Sequence, residues 1–199
     1  MIDKSIPHYP LYMTKTDTKN YPRRTLPDGY EFIFYRQGDE QRWAEIETDV
    51  GQFLSVEKGI ESFKSSFLVG QTLDASERVL FVRSADGEYV GTASLWNGRF
   101  LGEERQRIHW VAVKDKHAGK GIASALLCRL MDLYGELGYG GFIYLLTGTR
   151  NYPAVNIYRR FGFIEYYGPP SLSSSLSDGD FLAQTQTAVS IINEHIAKY

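Results

Sequence analysis

The chain has 199 residues, 43% hydrophobic and 14% aromatic, with 22 Lys+Arg against 24 Asp+Glu. That length suits one compact domain with extensions and buries about 70% of the unfolded surface, which excludes disorder of the whole chain. A formal net charge of -2 attracts neither nucleic acid nor an anionic membrane, and the single cysteine, Cys128, excludes an internal disulfide; with no apolar run near ~18 residues, the reading is a cytoplasmic protein.

Residues 1–29 are rich in Tyr, Pro, Thr and Lys without a helical or strand period, and read as a leader segment ending in the turn Pro27-Asp28-Gly29. Tyr30 to Tyr35 is an aromatic and β-branched run, as strands prefer. Trp43, Ile46, Val50 and Phe53, then Ile60, Phe63, Phe67 and Leu68, recur at spacings of three and four and predict two helices. Val79–Val82 and Tyr89–Trp96 are strand-like and joined by a turn containing Asp86-Gly87, and Asn97-Gly98 reads as the next turn.

Arg107–Val113 is a further strand, followed by a helix from about Lys120 to Leu137 with Leu126, Leu130, Leu133 and Leu137 on one face. Phe142–Thr147 is a short strand expected parallel to its predecessor, because a helix connects them. Asn151–Arg160 reads as a short helix and Phe163–Tyr167 as a last strand. Beyond Pro169-Pro170 a serine-rich stretch reads as a flexible linker to a terminal helix over 181–199, with Val189, Ile192 and Ile196 on one side.

Chemistry concentrates in two places. In Val113-Lys114-Asp115-Lys116-His117-Ala118-Gly119-Lys120-Gly121-Ile122-Ala123, glycines lie between a strand and a helix. There the unpaired N–H groups of the first helical turn and the helix dipole suit an anion. A P-loop is excluded because Ile122-Ala123 follows Gly121, and the dinucleotide motif because residue 124 is serine. In the second place, Asn151, Ala154 and Tyr158 are spaced three and four apart, so they share one helical face. Each segment alone also fits an ordinary turn or a packed helix.

Together the two segments resemble the GNAT superfamily of N-acetyltransferases. The family's phosphate motif, R/Q-x-x-G-x-G/A, is matched at Gly121 and Ala123, and departs at Ala118, where the family has Arg or Gln. Asn151 to Phe163 looks like the family's asparagine-to-tyrosine helix followed by Gly-Phe. The resemblance covers about residues 30–168, with 1–29 as leader and 169–199 as linker and terminal helix. It implies an α/β fold with a mixed, mostly antiparallel sheet, a central parallel βαβ unit and helices on both faces.

It also implies acetyl-CoA as acetyl donor, no metal, and transfer to a small-molecule or peptide amine by direct attack in a ternary complex. Val111 and Val113 would pair with the pantetheine arm, and the N–H groups of Ala118, Gly119, Lys120, Gly121, Ile122 and Ala123 would hold the pyrophosphate. With Ala118 at the first position, a side-chain grip falls to Lys116, His117 or Lys120, or is lost in favour of backbone contacts. Asn151 would anchor the arm, Ala154 pack against it, and Tyr158 stand beside the sulfur. A phenol near ~10 suits protonation of a departing thiolate near ~8.5.

An alkylammonium near ~10.4 must lose a proton before attack. His109, on the parity of Val111 and Val113, is named as the base, with Glu47, Glu103 and Glu104 as further candidates. Cys128, seven residues beyond Gly121, reads as a core residue rather than an acetyl carrier. A CoA-binding interaction module without turnover is the alternative function, and the terminal helix is expected to pack on its own domain or on a second copy in a homodimer.

Overall fold

The computed structural model describes residues 2–170 and 176–198. In chain order the elements are strand β1 (Pro10–Lys15), strand β2 (Tyr30–Phe34), helices α1 (Glu40–Asp49) and α2 (Val56–Phe63), a π-helical turn over Lys64–Leu68, and the short helix α3 (Ala75–Arg78). Strands β3 (Val79–Ser84), β4 (Tyr89–Phe100) and β5 (Glu103–Val113) lead to helix α4 (Ile122–Glu136), strand β6 (Ile143–Gly148), helix α5 (Tyr152–Arg160), strand β7 (Ile164–Glu165) and helix α6 (Asp178–Ile196). The seven strands follow the hydrogen-bonded order β2-β3-β4-β5-β6-β1-β7. Pairs β2–β3, β3–β4, β6–β1 and β1–β7 are antiparallel and β5–β6 is parallel, which is the mixed sheet with a parallel βαβ step that the sequence implies.

The chain divides into two compact units, and β4 and β5 each run through both. The first holds Arg23–Trp96 and His109–Glu136. Its core is aromatic: Tyr35, Trp43, Phe63, Phe67, Phe81 and Trp96 are buried together, each worth about 1.5–3 kcal/mol or more in area removed from water. Helix α1 presents Trp43, Ala44, Ile46 and Glu47 inward. It crosses α2 so closely that a Cβ on Gly59 would stand 2.7 Å from Ala44 Cβ. Helix α4 is buried on nearly every face from Ile122 to Tyr134, Cys128 included, so Cys128 is the core residue that its position along the helix suggests.

The second unit holds Asp3–Pro22, Asn97–Ile108 and Leu137–Tyr199. Here the expected aperiodic leader is a strand. β1 pairs with β6 from Pro10↔Gly148 to Lys15↔Ile143 and with β7 at Met13↔Glu165 and Thr14↔Ile164. Leu11 and Met13 are buried at 1% and 0% exposure. Thr14 and Lys15 are also buried, Lys15 by donating from Nζ to the Asn20 carbonyl at 2.7 Å. Those buried polar residues hide the strand's alternation.

Two further expectations are corrected. Asn97-Gly98 is not a turn: β4 continues through Phe100, and the chain reverses at Leu101 (φ 52) and Gly102 (φ 83), two left-handed residues of the kind a tight hairpin requires. Gly98 is needed for space instead, since a Cβ there would lie 2.3 Å from Tyr144 Oη and 3.0 Å from Arg107 Nε. The first predicted helix stops at Asp49, leaving Phe53 in the following loop, where its ring packs on Trp43 and Trp110.

The terminal helix starts at Asp178, earlier than expected, because Ser177 caps it by accepting from Asp180 N. It packs within its own unit through Phe181 against Tyr12 and Tyr166, and through Arg159 donating to Asn193. The serine-rich linker reading runs over residues 171–180; of these, 171–175 lie outside the described residues, and Asp178–Asp180 belong to the terminal helix instead.

Because β1 is sheet core, Met13→Ala should lower the unfolding free energy by about 2–5 kcal/mol, while the exposed Lys19→Ala changes it by less than about 0.5 kcal/mol. Urea unfolding of the two variants checks this; equal, near-zero effects would show a detachable leader.

Candidate active site

In the first unit, β5 leads into the glycine loop. Asp115–His117 form a single 3-10 turn, Ala118 is extended, and α4 starts at Ile122. Gly119 and Gly121 have φ of 76° and 84°, and a Cβ on either would meet nothing within 4 Å. These glycines are therefore required by backbone conformation and not by crowding, and they leave open space at the start of α4. The Ala118 N–H donates to the Asp115 carbonyl at 3.0 Å, which leaves the cradle to the amides that follow it.

The cations around this loop are sorted by Glu88. It accepts from Lys116 and Lys114 at 2.5 and 3.1 Å, and the Lys116 bond foremost holds its carboxyl below the usual carboxylate range. His117 Nε2 lies 3.6 Å from the same carboxylate, while its Nδ1 bonds Tyr30 Oη at 2.8 Å. Lys120 is exposed and donates to that phenol oxygen at 3.1 Å. Tyr30 thus joins His117 to Lys120, a role the strand pattern of Tyr30–Tyr35 did not signal.

Upstream, Trp110 has a φ of 51°. A bulky residue in the left-handed region is a costly conformation that surrounding structure must hold in place. It interrupts the regular alternation on which His109 was given the parity of Val111 and Val113. His109 is half-buried against Phe67 and Trp110, and its carbonyl accepts from Ser94 Oγ at 2.8 Å. Val111 and Val113 are half-buried. Glu103 and Glu104 are exposed.

Trp110 stacks edge-on to Trp43 of α1 at 5.1 Å. One turn after Trp43, Glu47 is 3% exposed, its Oε1 has no hydrogen-bond partner, and burial pushes its carboxyl up to about 8. The indole N–H groups of Trp43 and Trp110 are likewise buried without a partner.

In the second unit, Asn151, Ala154 and Tyr158 lie on α5 as the spacing requires. Asn151 occupies the N-cap position with no side-chain capping bond, so its amide is not engaged in the role that would explain it as a simple cap. Ala154 is half-buried and Tyr158 is buried at 7% exposure, its ring edge-on to Phe163 at 6.2 Å. Among the described residues no cluster of three or more His, Cys, Asp or Glu suits a metal ion, and no helix is long and apolar enough to cross a membrane.

Residues 41–163 match the model of the acetyltransferase (GNAT) family, a stretch that contains the glycine loop and α5. The chain belongs to that family, and acetyl transfer is its general chemistry. It is 29% identical over 146 residues to an N-alpha-acetyltransferase of Sulfurisphaera tokodaii, covering 68% of this chain and 87% of that protein. Among solved structures it is similar to a GCN5-related N-acetyltransferase from Sphaerobacter thermophilus, with TM-score 0.61, 23% identity, and coverage of 80% of this chain and 49% of that one. It is also similar to a GNAT-family acetyltransferase from Colwellia psychrerythraea, with TM-score 0.58, 12% identity, and coverage of 80% and 54%. The chain therefore spans about half the length of these structures, and at such identities they establish the fold alone.

Folded Glu47 keeps its proton to about pH 8, whereas the unfolded chain releases it near 4.5. Between those values the unfolded state binds fewer protons, so this residue's contribution to stability falls as pH rises. Glu47→Gln should therefore be more stable than the wild type at pH 8, by on the order of a few kcal/mol, with the difference largely gone at pH 4.5. Denaturant unfolding at the two pH values checks it; an offset independent of pH would refute the assignment.

Proposed function

We propose that this chain transfers an acetyl group from acetyl-CoA to a primary amine by direct attack in a ternary complex. The observation that supports it best is the glycine loop: two left-handed glycines with open space above them, at the start of a buried helix, inside the family-matched region. These residues fit the donor. Bound acetyl-CoA supplies an activated thioester carbonyl and a thiolate leaving group.

The chain's own residues do the rest. The amides of Gly119, Lys120, Gly121, Ile122 and Ala123 hold the pyrophosphate, with Ala118 shaping the loop, and the backbone of Val111 and Val113 receives the pantetheine amides. A backbone N–H of β5 stabilises negative charge on the carbonyl oxygen. Asn151 and Ala154 position the arm. Tyr158 donates its phenol proton to the sulfur, and His109 is the sequence-derived candidate for taking the amine's proton.

The acceptor is a small-molecule or peptide amine; the similarity to a protein named as an N-alpha-acetyltransferase makes a peptide N-terminus the first to test. An amine and peptide screen with thiol detection is the direct experiment. Ala118, which leaves the loop without the family's Arg or Gln, favours the alternative of a CoA-binding module without turnover, and such a module binds CoA yet releases no thiol.

Gly121→Glu places a carboxylate in the cradle and should weaken acetyl-CoA binding at least tenfold in calorimetry, whereas unchanged affinity in a folded variant would remove the loop from the site. Tyr158→Phe keeps the ring and should retain CoA affinity while lowering kcat by about 10²–10⁴-fold. Normal kcat, with chemistry shown to limit the rate, would mean another group protonates the sulfur.

A further inference from the structure

We infer that Glu47, not His109, is the group that takes the proton from the attacking amine. The inference rests on the amine-acetylation reading and concerns the same site. Its basis is a group of unsatisfied polar atoms inside an aromatic core. Glu47 Oε1, Trp43 Nε1 and Trp110 Nε1 are all buried without a hydrogen-bond partner, and a buried polar atom left so costs about 1–3 kcal/mol. Trp43 and Glu47 are one helical turn apart on α1, which places their side chains on one face. Trp43 also packs on Trp110, the left-handed residue of β5. A buried carboxyl and two buried indole donors are thus unsatisfied within one unit, two of them on one face of α1 and the third on the left-handed residue of β5, and strain and unsatisfied polarity of this kind are expected to serve a function.

His109 is less well suited. Its ring packs against Phe67 and Trp110, whereas Glu47 Oε1 is a buried polar atom without a partner. Around Glu47 the neighbouring titratable groups are distant in character: Glu57, Lys58 and Glu61 of α2 are exposed, Asp49 at the end of α1 is exposed and accepts from Asp115 N, and His109 is the titratable group on the adjoining part of β5. Burial is the one cause of the change in its acidity. A carboxylate so raised is a far better acceptor of an alkylammonium proton near ~10.4 than an ordinary one.

The step balances. An N–H bond of the ammonium breaks, its electron pair becomes the nucleophile's lone pair, and the proton forms an O–H bond to Glu47, directly or through one water. The carboxylate charge is neutralised as the ammonium charge disappears, so the low-dielectric core gains no net charge.

The test compares wild type with Glu47→Gln, using n-butylamine and a short peptide with a free N-terminus. Glu47→Gln should bind acetyl-CoA with unchanged affinity and melt no lower than wild type at pH 8. With n-butylamine its kcat/KM should fall about 10²-fold or more just above pH 8, where the wild-type carboxyl has given up its proton, the deficit should shrink below that pH as wild-type Glu47 protonates, and it should close again as pH passes the amine's own ammonium pKa, where no base is needed. The same pH profile in both proteins, or a deficit equal at every pH and accompanied by a lower melting temperature, would overturn the inference and leave Glu47 a packing residue. Wild type that binds acetyl-CoA but turns over neither amine would overturn the function reading, and the role of Glu47 with it.

Discussion

Strand β1 is the constraint on which the second unit depends. It hydrogen-bonds to β6 along six residue pairs and to β7 at two, and β7 is only two residues long. Such a strand has little ladder of its own, so it is β1 that holds it. Helix α5, with Asn151 and Tyr158, hangs between β6 and β7, and its place in the unit therefore follows from a segment more than a hundred residues earlier in the chain. Other contacts tie the same end: Thr149 Oγ1 accepts from Tyr9 N, Thr149 N donates to the Tyr9 carbonyl, and a Cβ on Gly148 would lie 2.9 Å from that carbonyl. Helix α6 then covers Tyr12 of β1 with Phe181.

How much of this was legible in the sequence depends on whether one period dominates. Helix α4 was legible because its apolar residues recur at helical spacing and end at Gly138. The glycines before it were legible because a strand and a helix flank them, and α5 because its spaced residues precede Phe161-Gly162-Phe163. The strand in the leader was not. Pro10-Leu11-Tyr12-Met13-Thr14-Lys15 buries polar Thr14 and Lys15 beside Met13, and the long-range pairing that makes such burial tolerable leaves no local mark. Asn97-Gly98 failed for a related reason. Glycine allows a turn and also allows close approach, and only the position of Tyr144 and Arg107 decides which.

The site residues divide in the same way. Positions defined by backbone, Gly119 and Gly121, are set by local sequence, and their left-handed conformation follows from having no Cβ. Positions defined by neighbours are not. Ala118 was assigned an amide contact, yet the 3-10 turn before it consumes that N–H. Trp110 carries no sequence signal of its left-handed backbone, and the parity assigned to His109 assumed a regular strand. Tyr30 reads as one more aromatic strand residue until His117 and Lys120 converge on its hydroxyl.

Charge at the loop is arranged by the same logic. Without an Arg or Gln at 118, the cluster of Lys114, Lys116, His117 and Lys120 offers itself as a substitute grip, but Glu88 already engages Lys114 and Lys116. Lys120 is the cation of this cluster that lies away from Glu88, and it rests on a neutral phenol at 3.1 Å. Leaving that hydrogen bond for a phosphate exchanges a weak neutral partner for a charged one, which is favourable, whereas drawing Lys116 away would break an ion pair. The loop is thus organised for backbone amides to do most of the holding, with Lys120 as the side chain freest to assist and Glu88 keeping the rest of the positive charge in place.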